Sequence, residues 1–184
     1  IQRPDISKGG ASAVNSIEFN GTPDTIYGYN SQSSGYELVQ LSVIPSGVTG
    51  STIANNLASS TQITYVDGLL YTTSGRIIDP INRTVLGALQ GGGPMAVDAA
   101  SDRVYYLESG GIGVYDLNTY VKIGTITFQG YPGGGGSLVR WGPNGLAFRS
   151  TGTNSRLYLV QSSLVSTGLP LPTGISLNAP TYSI

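Results

Sequence analysis

The feature that most constrains this chain is a unit of short apolar stretches and tight turns, seen most clearly between Pro94 and Phe128. A short apolar stretch there leads through a polar turn into a stretch rich in Val and Tyr. A Gly-Gly turn, a third stretch and a fourth complete the unit. Short segments of β-branched and aromatic residues bounded by Gly, Asn and Asp are typical of antiparallel strands. Four such strands predict one blade of a β-propeller.

The unit recurs along the chain. An aromatic residue stands in the second predicted strand of each copy, at Tyr27, Tyr71, Tyr105 and Phe148. These positions are roughly 40 residues apart, which is the period of propeller blades. The sequence therefore predicts an all-β fold of about four four-stranded blades, and it predicts that Tyr27, Tyr71 and Tyr105 belong to the core.

A second marker supports the repeat. Asp79 precedes Gly87 by the same interval at which Asp116 precedes Gly124. Each Asp is predicted to close a turn through its carboxylate. Each Gly is predicted to mark a point in the fourth strand that a neighbouring backbone approaches closely. The same Asp-to-Gly interval in two copies of the unit favours a repeated blade over unrelated strands.

The predicted blades cover about residues 14–56, 63–90, 93–129 and 137–168. Residues 1–13 are predicted to be the remnant of a preceding blade or a linker, and residues 169–184 a Pro-rich C-terminal linker. A ring of this kind usually has more than four blades, so the chain is expected to form part of a larger ring. An open arc leaves two apolar faces in water. We therefore expect a homodimer, closed face to face or by exchange of the segment before Val14, or else membership of a larger chain.

Composition excludes several classes of function. The 184 residues carry a net charge of −1 with no block of Lys or Arg, so a nucleic-acid partner is not expected. There is no Cys and no His, which removes thiolate chemistry, the commonest general base and a principal zinc ligand. No apolar run approaches the roughly 20 residues of a membrane-spanning helix. The sequence predicts no metal site, no cofactor and no membrane insertion.

The carboxylates are predicted to serve turns. Asp67, Asp79, Asp102 and Asp116 stand at turn positions, where Asp commonly binds its own backbone. Asp67 is followed by glycine, the pair that signals a two-residue hairpin. A glycosidase needs two facing carboxyl groups about 5 to 10 Å apart. The sequence does not reveal such a pair.

The candidate ligand site is Arg140, Trp141 and Arg149, which surround one predicted hairpin. Such residues stack on a sugar or pair with a carboxylate. The alternative is structural. Trp141 would pack between blades, and the arginines would bind backbone carbonyls or solvate an edge.

Four segments carry a resemblance to a known family. They are Asn15–Phe19, Thr25–Asn30, Ser74–Pro80 and Val139–Arg149. With these segments the chain resembles bacterial extracellular β-propellers related to the YVTN and YncE-like repeat proteins, and more closely those in large secreted multidomain surface proteins. The resemblance covers nearly the whole chain up to about Gly168. It implies an extracellular or cell-surface location.

Two functions follow as expectations. The first is a non-catalytic extracellular propeller that serves binding or structural roles in a surface protein, with a glycan or a protein as its ligand. The second is a carboxylate-based hydrolase or lyase that acts on polysaccharide. The absence of His and the low charge favour the first over an enzyme.

Overall fold

The computed structural model describes residues 14–32, 34–59, 61–151 and 155–165, which form four antiparallel sheets. In each sheet, strands that follow one another in the chain are hydrogen-bonded neighbours. Apart from one 3-10 turn at Ala99–Ser101, the regular structure of these ranges is all-β, as predicted. Within them no helix has the length and apolar character that crossing a membrane requires. The predicted end segments 1–13 and 169–184 lie outside the described residues.

The sheets are numbered in chain order. Sheet 1 contains β1 (Ser16–Phe19), β2 (Thr25–Asn30), β3 (Glu37–Ile44) and β4 (Gly47–Asn55). Sheet 2 contains β5 (Ile63–Val66), β6 (Leu69–Thr72), β7 (Arg76–Asp79) and β8 (Thr84–Ala88). Sheet 3 contains β9 (Met95–Asp98), β10 (Arg103–Glu108), β11 (Gly111–Asp116) and β12 (Lys122–Ile126). Sheet 4 contains β13 (Ser137–Trp141), β14 (Gly145–Arg149) and β15 (Leu157–Gln161), so the described part of this sheet has three strands where four were expected.

The aspartates predicted for turns do occupy turns. Asp67 and Gly68 join β5 to β6 and have φ of 48° and 88°. A two-residue hairpin turn of this type needs positive φ at both positions. Asp79 accepts two backbone N–H bonds, both at 2.9 Å, and Asp116 accepts two at 3.0 and 2.9 Å. Asp102 serves its turn through its backbone, with φ of 51°.

The outermost strands of the first three sheets share an irregularity. In each of them the pairing with the third strand skips one residue, which leaves Ile53, Leu86 and Ile123 unpaired at a β-bulge. A bulge bends the strand and increases its twist. An exposed sheet edge altered in this way is a poorer template for pairing with another chain.

Hydrophobic cores lie between consecutive sheets. We call the side of a sheet that is turned to the next sheet its forward face, and the opposite side its backward face. Tyr27, Tyr71 and Tyr105 lie on the forward faces of sheets 1, 2 and 3 and are 5%, 5% and 0% exposed. Their predicted place in the core is confirmed.

Phe148 does not match these tyrosines. It lies on the backward face of sheet 4, packed in the core shared with sheet 3, and Ala147 holds the forward position. The predicted equivalence is therefore wrong by one residue. Because side chains alternate along a strand, one residue of offset reverses the face.

The first strands of the four sheets surround one cavity. This cavity, the axial channel, has a volume of about 190 Å³ and is lined at the starts of β1, β5, β9 and β13. Near their starts, Ser16 Oγ accepts the Ile63 N–H at 3.0 Å and links β1 to β5. Near their ends, Arg140 Nε lies 2.7 Å from Asp98 Oδ2 and links β13 to β9. The first strands therefore start at one end of the channel and run the same way.

Candidate functional site

A groove of about 720 Å³ opens where sheets 2 and 3 meet. Its walls come from the loop between the two sheets, the β10–β11 turn, β11 and β12. The lining residues are Gln90, Gly92, Glu108, Ser109, Tyr115, Tyr120, Val121 and Lys122. This volume lies within the range of about 300 to 1,000 Å³ that small-molecule sites occupy. We refer to it as the Glu108 groove.

Glu108 makes the central polar contacts of the groove. Its Oε1 accepts a hydrogen bond from the Tyr115 hydroxyl at 2.5 Å, and its Oε2 lies 2.8 Å from Lys122 Nζ. The Lys122 ammonium also lies over the Tyr115 ring, 5.4 Å from the ring centre, where a cation–π attraction operates. Carboxylate and ammonium balance each other, so the groove offers a fixed acceptor and a fixed donor without net charge.

The local sequence explains how Glu108 reaches this position. Glu108 ends β10 and pairs with Gly111 across the turn. Its side chain then folds back over Gly113 of β11, where a Cβ would lie 2.5 Å from Oε1. Glycine at 113 therefore makes the space that the carboxylate fills. The Tyr131 hydroxyl donates to the Glu108 carbonyl and holds the strand end in place.

A pair of buried tyrosines lies beside the groove, and one of them, Tyr115, lines it. Tyr106 and Tyr115 pack edge to face with ring centres 5.7 Å apart, and Gly91 of the linking loop lies against both rings. The Tyr106 hydroxyl donates to the Thr72 carbonyl of sheet 2 at 2.8 Å. Burial raises the pKa of both phenols, and the Glu108 carboxylate raises the pKa of Tyr115 further. Both hydroxyls therefore remain donors at neutral pH.

The groove carries the groups of a binding site for a polar ligand. Among the described residues that line it, Glu108 supplies the one carboxylate. The described ranges contain no group of three His, Cys, Asp or Glu able to hold a metal ion. Glycoside hydrolysis by two carboxyl groups requires a facing pair about 5 to 10 Å apart. The groove does not present that pair.

The axial channel holds a second carboxylate. Glu18 of β1 lines it and forms no hydrogen bond or ion pair with any described residue. Burial raises the pKa of its carboxyl group. The other described residues that line the channel are apolar or uncharged polar ones, so none of them supplies a counter-charge to Glu18.

The predicted ligand residues divide between the two faces of sheet 4. Arg140 lies on the backward face, where it pairs with Asp98 and donates to the Gly145 carbonyl at 2.8 Å. Trp141 and Arg149 lie on the forward face, with the Trp141 ring over Gly145. Arg149 pairs with Ser137, four residues before Trp141 in β13. At the usual rise of a strand, Trp141 and Arg149 therefore lie about 13 Å apart along the sheet. The structure brings Trp141 and Arg149 to one face and places Arg140 on the other.

Sequence reasoning did not single out Glu108 and Lys122. The available signal is Gly113, a small residue in the middle of an apolar strand, with Glu108 and Lys122 in the strands on either side. A missing side chain there leaves room for a long one from a neighbouring strand. The contact itself depends on the register of three strands, which a single sequence does not specify.

Comparison with known proteins supports the fold. No family model matches the chain, and no curated protein is similar to it. Among solved structures it is similar to PorZ, an essential bacterial surface component of the type-IX secretion system of Porphyromonas gingivalis, with 15% identity and a TM-score of 0.57. The match covers 83% of this chain and 21% of PorZ, so the chain spans about a fifth of that protein. A 2S albumin seed protein from Dolichos matches with 12% identity, a TM-score of 0.38 and coverage of 84% and 96%.

Proposed function

We propose that this chain is a non-catalytic binding module of a bacterial surface protein, built from β-propeller blades. The observation that carries the proposal is the Glu108 groove, which presents a neutralised ion pair and the Tyr115 phenol that is hydrogen-bonded to it. Such a site suits recognition of a ligand rich in hydroxyl groups. It offers both donors and acceptors and repels neither charge sign.

The blade architecture is supported by how the sheets are arranged. Each described sheet is a meander, consecutive sheets share a core, and the four first strands start around one channel. Radial repetition of four-stranded meanders about a central channel is what defines a propeller. We propose that these four sheets are blades of a ring, with β1, β5, β9 and β13 as the innermost strands.

The surface location rests on two likenesses. The sequence resembles extracellular bacterial propellers, and the fold is similar to part of PorZ, itself a bacterial surface component. The likeness to PorZ, at 15% identity, supports the fold alone. The location of this chain is therefore our proposal. We propose an extracellular or cell-surface setting, in which a glycan or a protein is the ligand.

A glycan is the ligand class that the groove fits better. Sugar hydroxyl groups form hydrogen bonds with polar side chains, and the apolar C–H face of a sugar ring packs on aromatic rings. The Glu108 carboxylate and the Lys122 ammonium supply the polar contacts, and the half-buried Tyr120 ring borders the same space. The groove is open, which suits a chain of sugars passing through it.

A glycan panel tests the proposal when binding and released ends are measured separately. We expect binding without release, and we expect Glu108→Gln and Lys122→Met each to weaken it at least tenfold. Asp67→Asn is the matched control, because Asn also tolerates positive φ and this turn lies outside the groove. Release of sugar ends would instead establish the hydrolase or lyase. Failure of every glycan to bind would reject the ligand class.

The same glycan panel tests the ligand site that the sequence predicts on sheet 4. Trp141→Ala and Arg149→Ala remove the two residues that share the forward face. A loss of binding in these variants, with Glu108→Gln unaffected, would move the ligand site from the groove to sheet 4. Arg140→Ala belongs to a different test, because its contacts with Asp98 and Gly145 make loss of stability the expected effect.

A further inference from the structure

A second cavity lies at the junction of sheets 2 and 3, at the end where the first strands end. It has a volume of about 270 Å³ and is lined by the β5–β6, β9–β10 and β11–β12 turns together with Tyr71 of β6. Tyr120 borders both this cavity and the Glu108 groove. We call it the Tyr71 cavity. Its walls come from the two inner sheets of the described series.

The described lining of this cavity is negatively charged. Asp67 and Asp102 supply one carboxylate each, and no Lys or Arg is among the described residues that line the cavity. Neither carboxylate forms a hydrogen bond or an ion pair with a residue that the structure describes. Arg103 follows Asp102 in the chain, but its guanidinium pairs with Asp116 at 3.2 Å. The cavity therefore attracts a cation.

The Tyr71 hydroxyl adds a third oxygen. Tyr71 is 5% exposed and lines the cavity, and its hydroxyl makes no hydrogen bond with any described residue. Burial raises the pKa of Tyr71, and Tyr120 and the Asp67 carboxylate raise it further, so the hydroxyl lies close to both. A buried phenol ordinarily has a partner, and the buried Tyr29 and Tyr106 both bond to backbone carbonyls. The free Tyr71 hydroxyl beside a cavity therefore points to a ligand.

The rest of the wall is apolar, which decides between kinds of cation. Val66, Leu69 and Leu117 pack on the core between sheets 2 and 3 and border the cavity. A calcium ion takes six to eight oxygen ligands. Two carboxylates set among apolar side chains do not meet that demand. They suit a cationic head on a short aliphatic stem, because the stem covers apolar surface while the head meets the carboxylates.

We propose that the Tyr71 cavity binds a primary alkylammonium group, of the kind that free diamines and lysine side chains carry. An ammonium has three N–H donors and no acceptor. The carboxylates of Asp67 and Asp102 and the hydroxyl oxygen of Tyr71 supply three acceptors, one for each donor. The aliphatic stem packs on the apolar wall. Asp67 and Asp102 lie outside the Glu108 groove, so this site is tested separately from the proposed glycan site.

Calorimetric titration of the full chain gives the first test. The probes are the diamine cadaverine and Nα-acetyl-lysine methylamide, which present the ammonium on a free small molecule and on a lysine side chain. We expect saturable binding of at least one probe, and the tighter of the two identifies the source of the ammonium. Binding of neither probe would overturn the proposal. Binding of calcium in preference to both would overturn it as well.

Substitutions locate the contacts. Tyr71→Phe, Asp67→Asn and Asp102→Asn should each weaken binding about tenfold or more, because each removes a hydroxyl or a charge that the ammonium contacts. Asn tolerates the positive φ of both turns. Asp24→Asn is the matched control, since it removes the same charge from the β1–β2 turn of sheet 1. Thermal melts confirm that each variant is folded. Unchanged affinity in Tyr71→Phe and Asp67→Asn would contradict the site.

A trimethylated probe separates hydrogen bonding from attraction to the tyrosine rings. Trimethylation of the lysine ammonium keeps its charge and removes all three donors. We expect about tenfold weaker binding or less. Equal or tighter binding would indicate an aromatic cage and overturn the proposed contacts. Amide NMR shifts then place the probe. We expect changes in the three turns that line the Tyr71 cavity, and changes confined to Glu108 and Lys122 would assign the amine to the groove instead.

Discussion

The Tyr120 ring lies directly on Gly87, where a Cβ would be 2.5 Å from Tyr120 Cε2. Tyr120 follows the Asp116 turn with φ of 62°, and its N–H donates to the Asp116 carbonyl at 3.0 Å. A turn of sheet 3 therefore holds an aromatic side chain against the last strand of sheet 2. The close approach predicted at Gly87 exists, and a side chain rather than a backbone makes it.

Gly87→Ala should destabilise the protein by about 1 to 3 kcal/mol, the usual cost of overpacking. The added methyl group would push the Tyr120 ring off its seat, and the turn leaves that ring few alternatives. Gly110→Ala is the control, because a Cβ there meets nothing within 4 Å. Urea unfolding measures both. Equal stability of the two variants would show that Tyr120 moves freely.

Tyr105→Ala should destabilise the protein by about 3 to 5 kcal/mol, the range for truncating a buried large side chain. Tyr105 is 0% exposed in the core between sheets 3 and 4. Asp116→Ala should cost less, because Asp116 serves an exposed turn. Thermal melts rank the two variants. The reverse order would remove Tyr105 from the residues that hold the sheets together.

Stability should fall above about pH 10, the ordinary pKa of tyrosine. The folded-state pKa of Tyr106 and Tyr115 is raised, chiefly by burial, so the fold favours their neutral form. That contribution is complete below the unfolded-state pKa and is lost as pH rises toward the folded-state value. Urea unfolding at several alkaline pH values, with tyrosinate absorbance recorded, checks this. Ionisation of all tyrosines before the sheets unfold would contradict it.

Glu18→Gln should raise the melting temperature at pH 7. Burial in the axial channel raises the pKa of Glu18, so the charged form is disfavoured in the fold. The cost is absent below the unfolded-state pKa of about 4.3 and develops as pH rises above it. The difference between variant and unaltered chain should therefore vanish near pH 4. A melting temperature that the substitution lowers at pH 7 would mean that the carboxylate has a stabilising partner.

Local chemistry in the sequence predicts turns well. Asp67-Gly68 forms its hairpin, and Asp79 and Asp116 close their turns, because each depends on neighbours within three residues. The sheet face on which Phe148 lies could not be predicted in the same way. Whether Phe148 or its neighbour Ala147 packs against sheet 3 depends on the side chains of that sheet, which are distant in sequence.

The ligand groups show the same division. Arg140 and Trp141 are adjacent in sequence yet lie on opposite faces of β13, as strand geometry requires. Glu108 and Lys122 are separated in sequence and meet because β10, β11 and β12 pair in a particular register. Long-range pairing of this kind is set by packing of the whole sheet. A pattern of residue types along the chain does not contain it.

Each described sheet shares a core only with the sheets next to it in the chain. The stability of the chain is therefore approximately a sum over single sheets and the contacts between neighbours, as in a linear array of repeats. Within the described residues, sheets 2 and 3 share a core on both sides, and sheets 1 and 4 share one on a single side. Opening therefore begins at the two ends and moves inward, and backbone amides of β6 and β10 exchange with solvent last. The Glu108 groove lies between the two inner sheets, in the part of the array that frays least.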